Sequence, residues 1–171
     1  MEKVSVDDVP NDPHPMGVNT ERTPLSGALG TEDVAVVHYR LAPGEQFSGG
    51  LHTHHDQEEL FYVVEGTATF EHRGPDKAPE DDPLGGTTET EVSAGEAIRF
   101  APGEFQTGRN ESDERVVGLA VAAPSSHHDW EQIESFAPCP VCDEVTSHFV
   151  LEPTDGFGVR CDECGNELRL S

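Results

Sequence analysis

The apolar residues of this chain gather in short alternating runs closed by Gly, Pro, Asn or Asp, and no long stretch keeps a helical period. "DVAVVHYRLA" (33–42), "ELFYVVEG" (59–66), "TATFEH" (67–72), "TTETEV" (87–92) and "RVVGLAVAA" (115–123) read as strands, with one more short strand inside "SAGEAIRFAPGEF" (93–105). "PGEQFSGG" (43–50) is a turn, Gly66 joins two strands, and Pro102-Gly103 marks a further turn. "RGPDKAPEDDPLGG" (73–86) is a proline-broken acidic loop, the tip of a long hairpin. Many short strands with frequent turns confine the chain to an all-β sandwich or barrel.

The 171 residues suit one domain with a small appendage. Residues 1–30 are rich in Pro, Asp, Asn and Gly and read as an irregular arm. The barrel is expected over 31–124. "SSHHDWEQIESFAP" (125–138) reads as a linker with one helical turn, and a second unit occupies 139–171.

Charge narrows the partners. The formal net charge is −24, from 34 acidic and 10 basic residues, of which only Lys3 and Lys77 are lysines. Apolar residues clustered into strands argue for a folded protein with an acidic surface rather than a disordered one. Such a surface suits very high salt, where self-repulsion is screened, so a halophilic origin is expected. The charge argues against nucleic acid as a partner, because phosphate binding rests on Lys and Arg. No apolar run is long enough to span a membrane as a helix, and the N-terminus lacks the apolar core of a signal peptide. A cytoplasmic location follows as the expectation. There, cysteines serve metals more often than disulfides.

Within "GGLHTHHDQEELFYVVEG" (49–66), His52 and His54 are two apart, which on a strand places both on one face. Glu59 stands at an odd offset from His54, so the polar "HDQE" must reset the strand's phase before Glu59 can join them. Glu59, Phe61 and Val63 then share one face, and Leu60, Tyr62 and Val64 the other. The second face is free to meet another sheet or a second subunit, which makes a homodimer an expectation. Two histidines and one carboxylate with open positions are a ligand set for Fe(II), Mn, Ni or Zn. The competing reading is a solvated turn with incidental histidines. His55 reads as a rim residue. Arg40, Arg99 and His38 either bind an anionic substrate or point outward into solvent, and Phe61, Phe70 and Phe100 read as core.

The spacing of His52, His54, Glu59 and Gly66 resembles the first motif of the cupin superfamily: H-x-H, three or four residues, Glu, six residues, Gly. "GEAIRFAPGEFQTGRN" (95–110) is similar to the second motif at Gly95, Gly103 and Asn110, with Pro102 one place late. The glycine expected six places before His52 is Gln46, with Gly44 two places earlier. The resemblance spans roughly residues 33–123. It implies a jelly-roll β-barrel with a metal inside, held by His52, His54 and Glu59. At the position of the family's fourth ligand, a histidine, this chain has Gln106. Its amide oxygen either ligates weakly or hydrogen-bonds a bound water or substrate.

Cys139-x2-Cys142 and Cys161-x2-Cys164 are paired knuckles at a separation suited to tetrahedral zinc, with two disulfides as the alternative. "HFVLEP", "GFGVR" and "NELRL" read as three strands, with Phe149, Leu151, Phe157, Val159 and Leu168 as core and His148 as an exposed strand residue. The unit resembles a zinc ribbon. Its seven acidic residues against two arginines again argue against nucleic acid and leave a structural cap or a protein-docking module.

The expected whole is a cupin barrel followed by a small zinc ribbon. Three functions compete: a metal-dependent oxygenase or isomerase acting on a small molecule, a non-catalytic metal- or ligand-binding barrel, and an interaction protein docking through the ribbon.

Overall fold

A computed structural model describes residues 1–75, 82–152 and 157–169. The tip of the expected hairpin (76–81), residues 153–156 and residues 170–171 lie outside the described residues. Those described form two antiparallel sheets. The first has the order β1(Glu21–Pro24), β2(Ala35–Leu41), β9(Val116–Ala123), β4(Glu58–Glu65), β7(Ala97–Phe100). The second runs β13(Glu167–Arg169), β12(Gly158–Cys161), β11(Glu144–Leu151), β10(Ile133–Cys139), β3(His52–His54), β8(Phe105–Arg109), β5(Thr67–Arg73), β6(Thr88–Ser93). Among the described residues no helix is long and apolar enough to cross a membrane.

Alternation fixes which residues meet between the sheets. Tyr39 and Leu41 of β2, Phe61 and Val63 of β4, Ala68 and Phe70 of β5, and Val116 and Ala120 of β9 are buried in one cluster. Phe47, Phe61, Phe70 and Phe100 form its aromatic centre. Phe47 stacks on Phe70 at 5.6 Å, and Phe61 meets Phe70 at 4.9 Å between centroids. Such pairs contribute about 0.5–1.5 kcal/mol each beyond their burial. Gly108 of β8 lies against this stack. A Cβ there would sit 2.4 Å from Phe70 Cε1 and 2.8 Å from Phe47 Cδ2, so only glycine lets β8 approach the rings. Gly66 turns β4 into β5 at φ 80°, in the left-handed region, with Arg115 O only 2.6 Å from where a Cβ would be.

Three expectations need correction. The arm over 1–30 is not wholly irregular. Its Glu21–Pro24 adds to the sheet edge as β1, with Thr23 buried against His38 in register, and Ser26–Leu29 makes one helical turn, α1. Pro24 is tolerated because β1 is an edge strand. The 125–138 segment, read as a linker, carries the expected single turn (Trp130–Gln132) and then six of the seven residues of β10. In the C-terminal strands the buried face of β11 holds Thr146, His148 and Val150, while Phe149 and Leu151 lie on the half-buried face. His148 is fully buried because it pairs between Ser135 and Cys161.

Candidate metal centre

His52 and His54 stand on β3, in the larger sheet. The chain then crosses to the other sheet through His55–Gln57, and Glu59 sits at the start of β4. This crossing is the phase reset that the odd spacing required: Glu59 points inward from the opposite wall. One ligand atom from each of His52, His54 and Glu59 lies within 4.8 Å of the others. His54 Nε2 is 3.9 Å from Glu59 Oε2.

Donor chemistry fits a cation. His52 Nδ1 is 2.9 Å from Gly50 O. A carbonyl only accepts, so Nδ1 carries the proton and Nε2 presents its lone pair. Gln106, buried on β8, is the register partner of His52. Its Nε2 donates to Glu59 Oε2 at 2.8 Å and lies 3.3 Å from His52 Nε2, while Oε1 is buried without a partner. Half a turn of the amide exchanges the two atoms and would offer Oε1 to an ion beside His52 and Glu59. His54 Nδ1 is also buried and unpartnered. A narrow cleft of about 10 Å³, room for about one water-sized group, opens on the site, walled by His54, Gln57, Glu59, Phe100, Glu104 and Gln106.

Burial pushes the Glu59 carboxyl up to about 7, with the Gln106 hydrogen bond working in the other direction. Burial pushes His52 and His54 down, and the neighbouring imidazoles of His52, His128 and His55 add to the effect on His54. Near neutral pH the imidazoles are therefore free donors, and Glu59 is the group whose proton competes with a metal. Apparent affinity should be level above about pH 7 and fall about tenfold per unit below it. The linkage to folding has the opposite sign to that of an ordinary ion-paired carboxylate. With its folded pKa above the ordinary 4.5, metal-free Glu59 costs nothing below pH 4.5 and up to about 3 kcal/mol above 7. Glu59→Gln should thus stabilise the metal-free protein at pH 8 but not at pH 4.5, as read by urea melts in high salt. Equal effects at both pH values would show that Glu59 is not the titrating group.

His128 was missed by the sequence reading, which placed it in a linker. Its ring packs 4.9 Å from that of His54 and meets Trp130 edge-on at 5.5 Å. Gln57, fully buried, explains the placement. Its Nε2 donates to the carbonyls of Pro124, Ser125 and His127, so its Oε1 must accept from His128 Nδ1, at 3.2 Å. That assignment leaves His128 Nε2 as the acceptor. The available signal was the histidine pair in "SSHHDW", uninterpretable without the fold.

The remaining candidates fall outside the site. His55 Nε2 is 2.7 Å from Glu134 Oε2 at the rim. Arg99 pairs with Glu58, and Arg40 with Asp7 and Glu21, on the outer face that His38 shares. Asn110 is wholly buried and structural: its Nδ2 donates to Leu41 O and Glu114 O. At the other end of the larger sheet, Cys139, Cys142, Cys161 and Cys164 bring their sulfurs within 4.8 Å of one another. The separations of 3.6 Å (Cys139–Cys164) and 3.9 Å (Cys142–Cys161) match the roughly 3.8 Å edge of a tetrahedron with Zn–S bonds near 2.3 Å. Thr146 Oγ1, 3.2 Å from Cys161 Sγ, holds that thiol down to about 6.

A protein-family model described as "Cupin domain" matches residues 37–122, just over half of the chain. No curated protein matches the sequence. Among solved structures, a conserved protein with a double-stranded β-helix domain from Klebsiella pneumoniae is 23% identical, with a TM-score of 0.52 over 72% of this chain and 90% of that one. A cupin protein from Bacteroides fragilis is 20% identical, with a TM-score of 0.52 over 72% and 83%. A protein from Silicibacter pomeroyi, described as a sugar phosphate isomerase from a cupin superfamily, is 18% identical, with a TM-score of 0.55 over 98% and 92%. At these identities the likeness is one of fold, and the last of them extends through the C-terminal strands.

Proposed function

This chain belongs to the cupin family, and on that premise we propose that its barrel holds a divalent transition-metal ion on His52, His54 and Glu59 and offers the open coordination positions to a small molecule. The observation that carries the reading is the convergence of three donor atoms within 4.8 Å, one of them with its tautomer set by Gly50 O. Imidazole and carboxylate donors suit Fe(II), Mn, Ni or Zn. Bound there, such an ion would supply Lewis acidity to whatever enters the cleft. The chain's own contributions are a dry wall at Phe100, an amide at Gln106 and an imidazole acceptor at His128. His128 favours a second reading, catalysis of oxygenase or isomerase type, since it places an imidazole beside the ligand His54, kept neutral by burial that pushes its pKa down to about 4.

The four cysteines are assigned a structural zinc in a ribbon unit, supported by their sulfur spacing. The acid excess is assigned to a halophilic habit.

Elemental analysis of protein purified in high salt tests both metal sites. About two ions per chain are expected, one of them zinc. His52→Ala with Glu59→Ala should remove one ion and leave the zinc. A count of one that the double substitution does not change would overturn the barrel assignment.

A further inference from the structure

We propose that the cysteine unit serves the barrel as the positioning element of its histidine pair: an ion on Cys139, Cys142, Cys161 and Cys164 fixes β10, and β10 holds His52 and His54 in register. The proposal rests on the two metal sites assigned above.

β3 is only three residues long. Toward β8 it has one register pair, His52 with Gln106. Toward β10 it has three, His52 with Ser135, Thr53 with Glu134 and His54 with Ile133. The strand bearing both histidines is therefore held chiefly by a strand that ends at Cys139. On its far side β10 pairs over six residues with β11, closing at Cys139 with Glu144 beside the first knuckle. One row of partners crosses the sheet as Gln106, His52, Ser135, His148, Cys161. Partners in register point to the same face. The row thus links the barrel ligand His52 to the zinc ligand Cys161 over three strand spacings, about 14 Å.

Side chains brace the same path. Glu134 takes His55 Nε2 at 2.7 Å with one oxygen and Ser147 Oγ at 2.7 Å with the other. Phe136 of β10 packs on Phe105, the neighbour of Gln106, at 5.2 Å, and the Arg73 guanidinium lies over both rings at 4.8 and 5.0 Å. His148 Nδ1 bonds Thr146 O, and the Thr146 hydroxyl reaches Cys161. Among the described residues of the cysteine unit few apolar side chains are buried, Val150 foremost, so its order depends on the ion. Emptying the cysteines should loosen β11 and β12, then β10, and with it the histidine strand. Coupling of this kind is reciprocal: a metal in the barrel should tighten zinc by the same factor.

The test compares the zinc-loaded full chain with the same protein stripped by an organomercurial and chelator, in high salt. Hydrogen exchange of the His52–His54 amides is read alongside Ni²⁺ affinity by chelator competition. Stripping should speed that exchange at least tenfold and weaken Ni²⁺ binding at least tenfold, with β4 and β9 still protected. Ser135→Pro, which alters no ligand side chain but breaks the pairing of β10 beside His52, should do the same with zinc in place. If that variant also loses protection in β9, Glu134→Gln replaces it, with a smaller effect in the same direction. Exchange at His52–His54 that is unchanged by stripping overturns the proposal, as does a cysteine cluster that holds no ion. A barrel that takes no Ni²⁺ in any form defeats the barrel assignment alone, and exchange at β3 still decides whether the cysteine unit positions it.

Discussion

Gln106→His is expected to tighten the barrel's hold on Ni²⁺ or Zn²⁺ by roughly 100-fold, about 2.7 kcal/mol. Gln106 faces the site from β8 and already touches Glu59 and His52 through Nε2, so a side chain at this position reaches the ion's space. As it stands the amide has its donor aimed inward and its acceptor buried unpartnered. An ion must turn it over or leave it out. An imidazole would supply a stronger nitrogen donor and would release Glu59 from its hydrogen bond. The measurement is competition against a chelator at one pH above 7, where the proton on Glu59 does not interfere. Unchanged affinity would show that the fourth position lies out of reach of this strand. Weaker binding would show a pocket shaped around an amide, which favours recognition of a ligand by Gln106.

Lowering the salt from 1 M to 0.01 M should cost the fold on the order of 5 kcal/mol, about 10–20 °C in Tm. The Debye length grows from about 3 Å to about 30 Å over that range, so carboxylates that ignore one another in brine repel across the whole barrel. The basic groups cannot compensate. Arg109 alone is shared among Glu71, Glu89 and Glu111, and ten cations face 34 acids in all. Circular dichroism melts at the two salt levels decide the matter; equal midpoints would remove the halophilic reading.

β2 and β4 of the smaller sheet were legible because they alternate: Tyr39 and Leu41 on β2, and Phe61 and Val63 on β4, are buried at every second position. The site spacing was legible for a related reason, since His52, His54 and Glu59 lie close in sequence and differ only by a phase reset that "HDQE" announces. β8 was not legible. Phe105, Gln106, Thr107 and Gly108 are all buried, two of them polar and one a glycine under the rings, so no alternation marks the strand. β10 was hidden for the opposite reason. "IESFAPC" gains its strand character from pairing with β3 and β11 on both sides, which no local signal reports. His128 depends on Gln57, 71 positions earlier in the chain, and only the fold brings the two together.

The pairing of β3 with β10 also sets an order of events during synthesis. Ser135 follows His52 by about 80 residues, so a nascent chain makes both histidines long before the strand that aligns them exists. Contacts of such separation form late, after their loop has been closed. On the ribosome the barrel's aromatic core can collapse from residues up to Ala123, while the ion's cradle waits for Ile133–Ser135 to emerge and dock. On the proposed assignment, capture of an ion by the barrel is expected to come late in biogenesis, and a chain truncated before residue 133 is expected to be compact yet poor at retaining a metal.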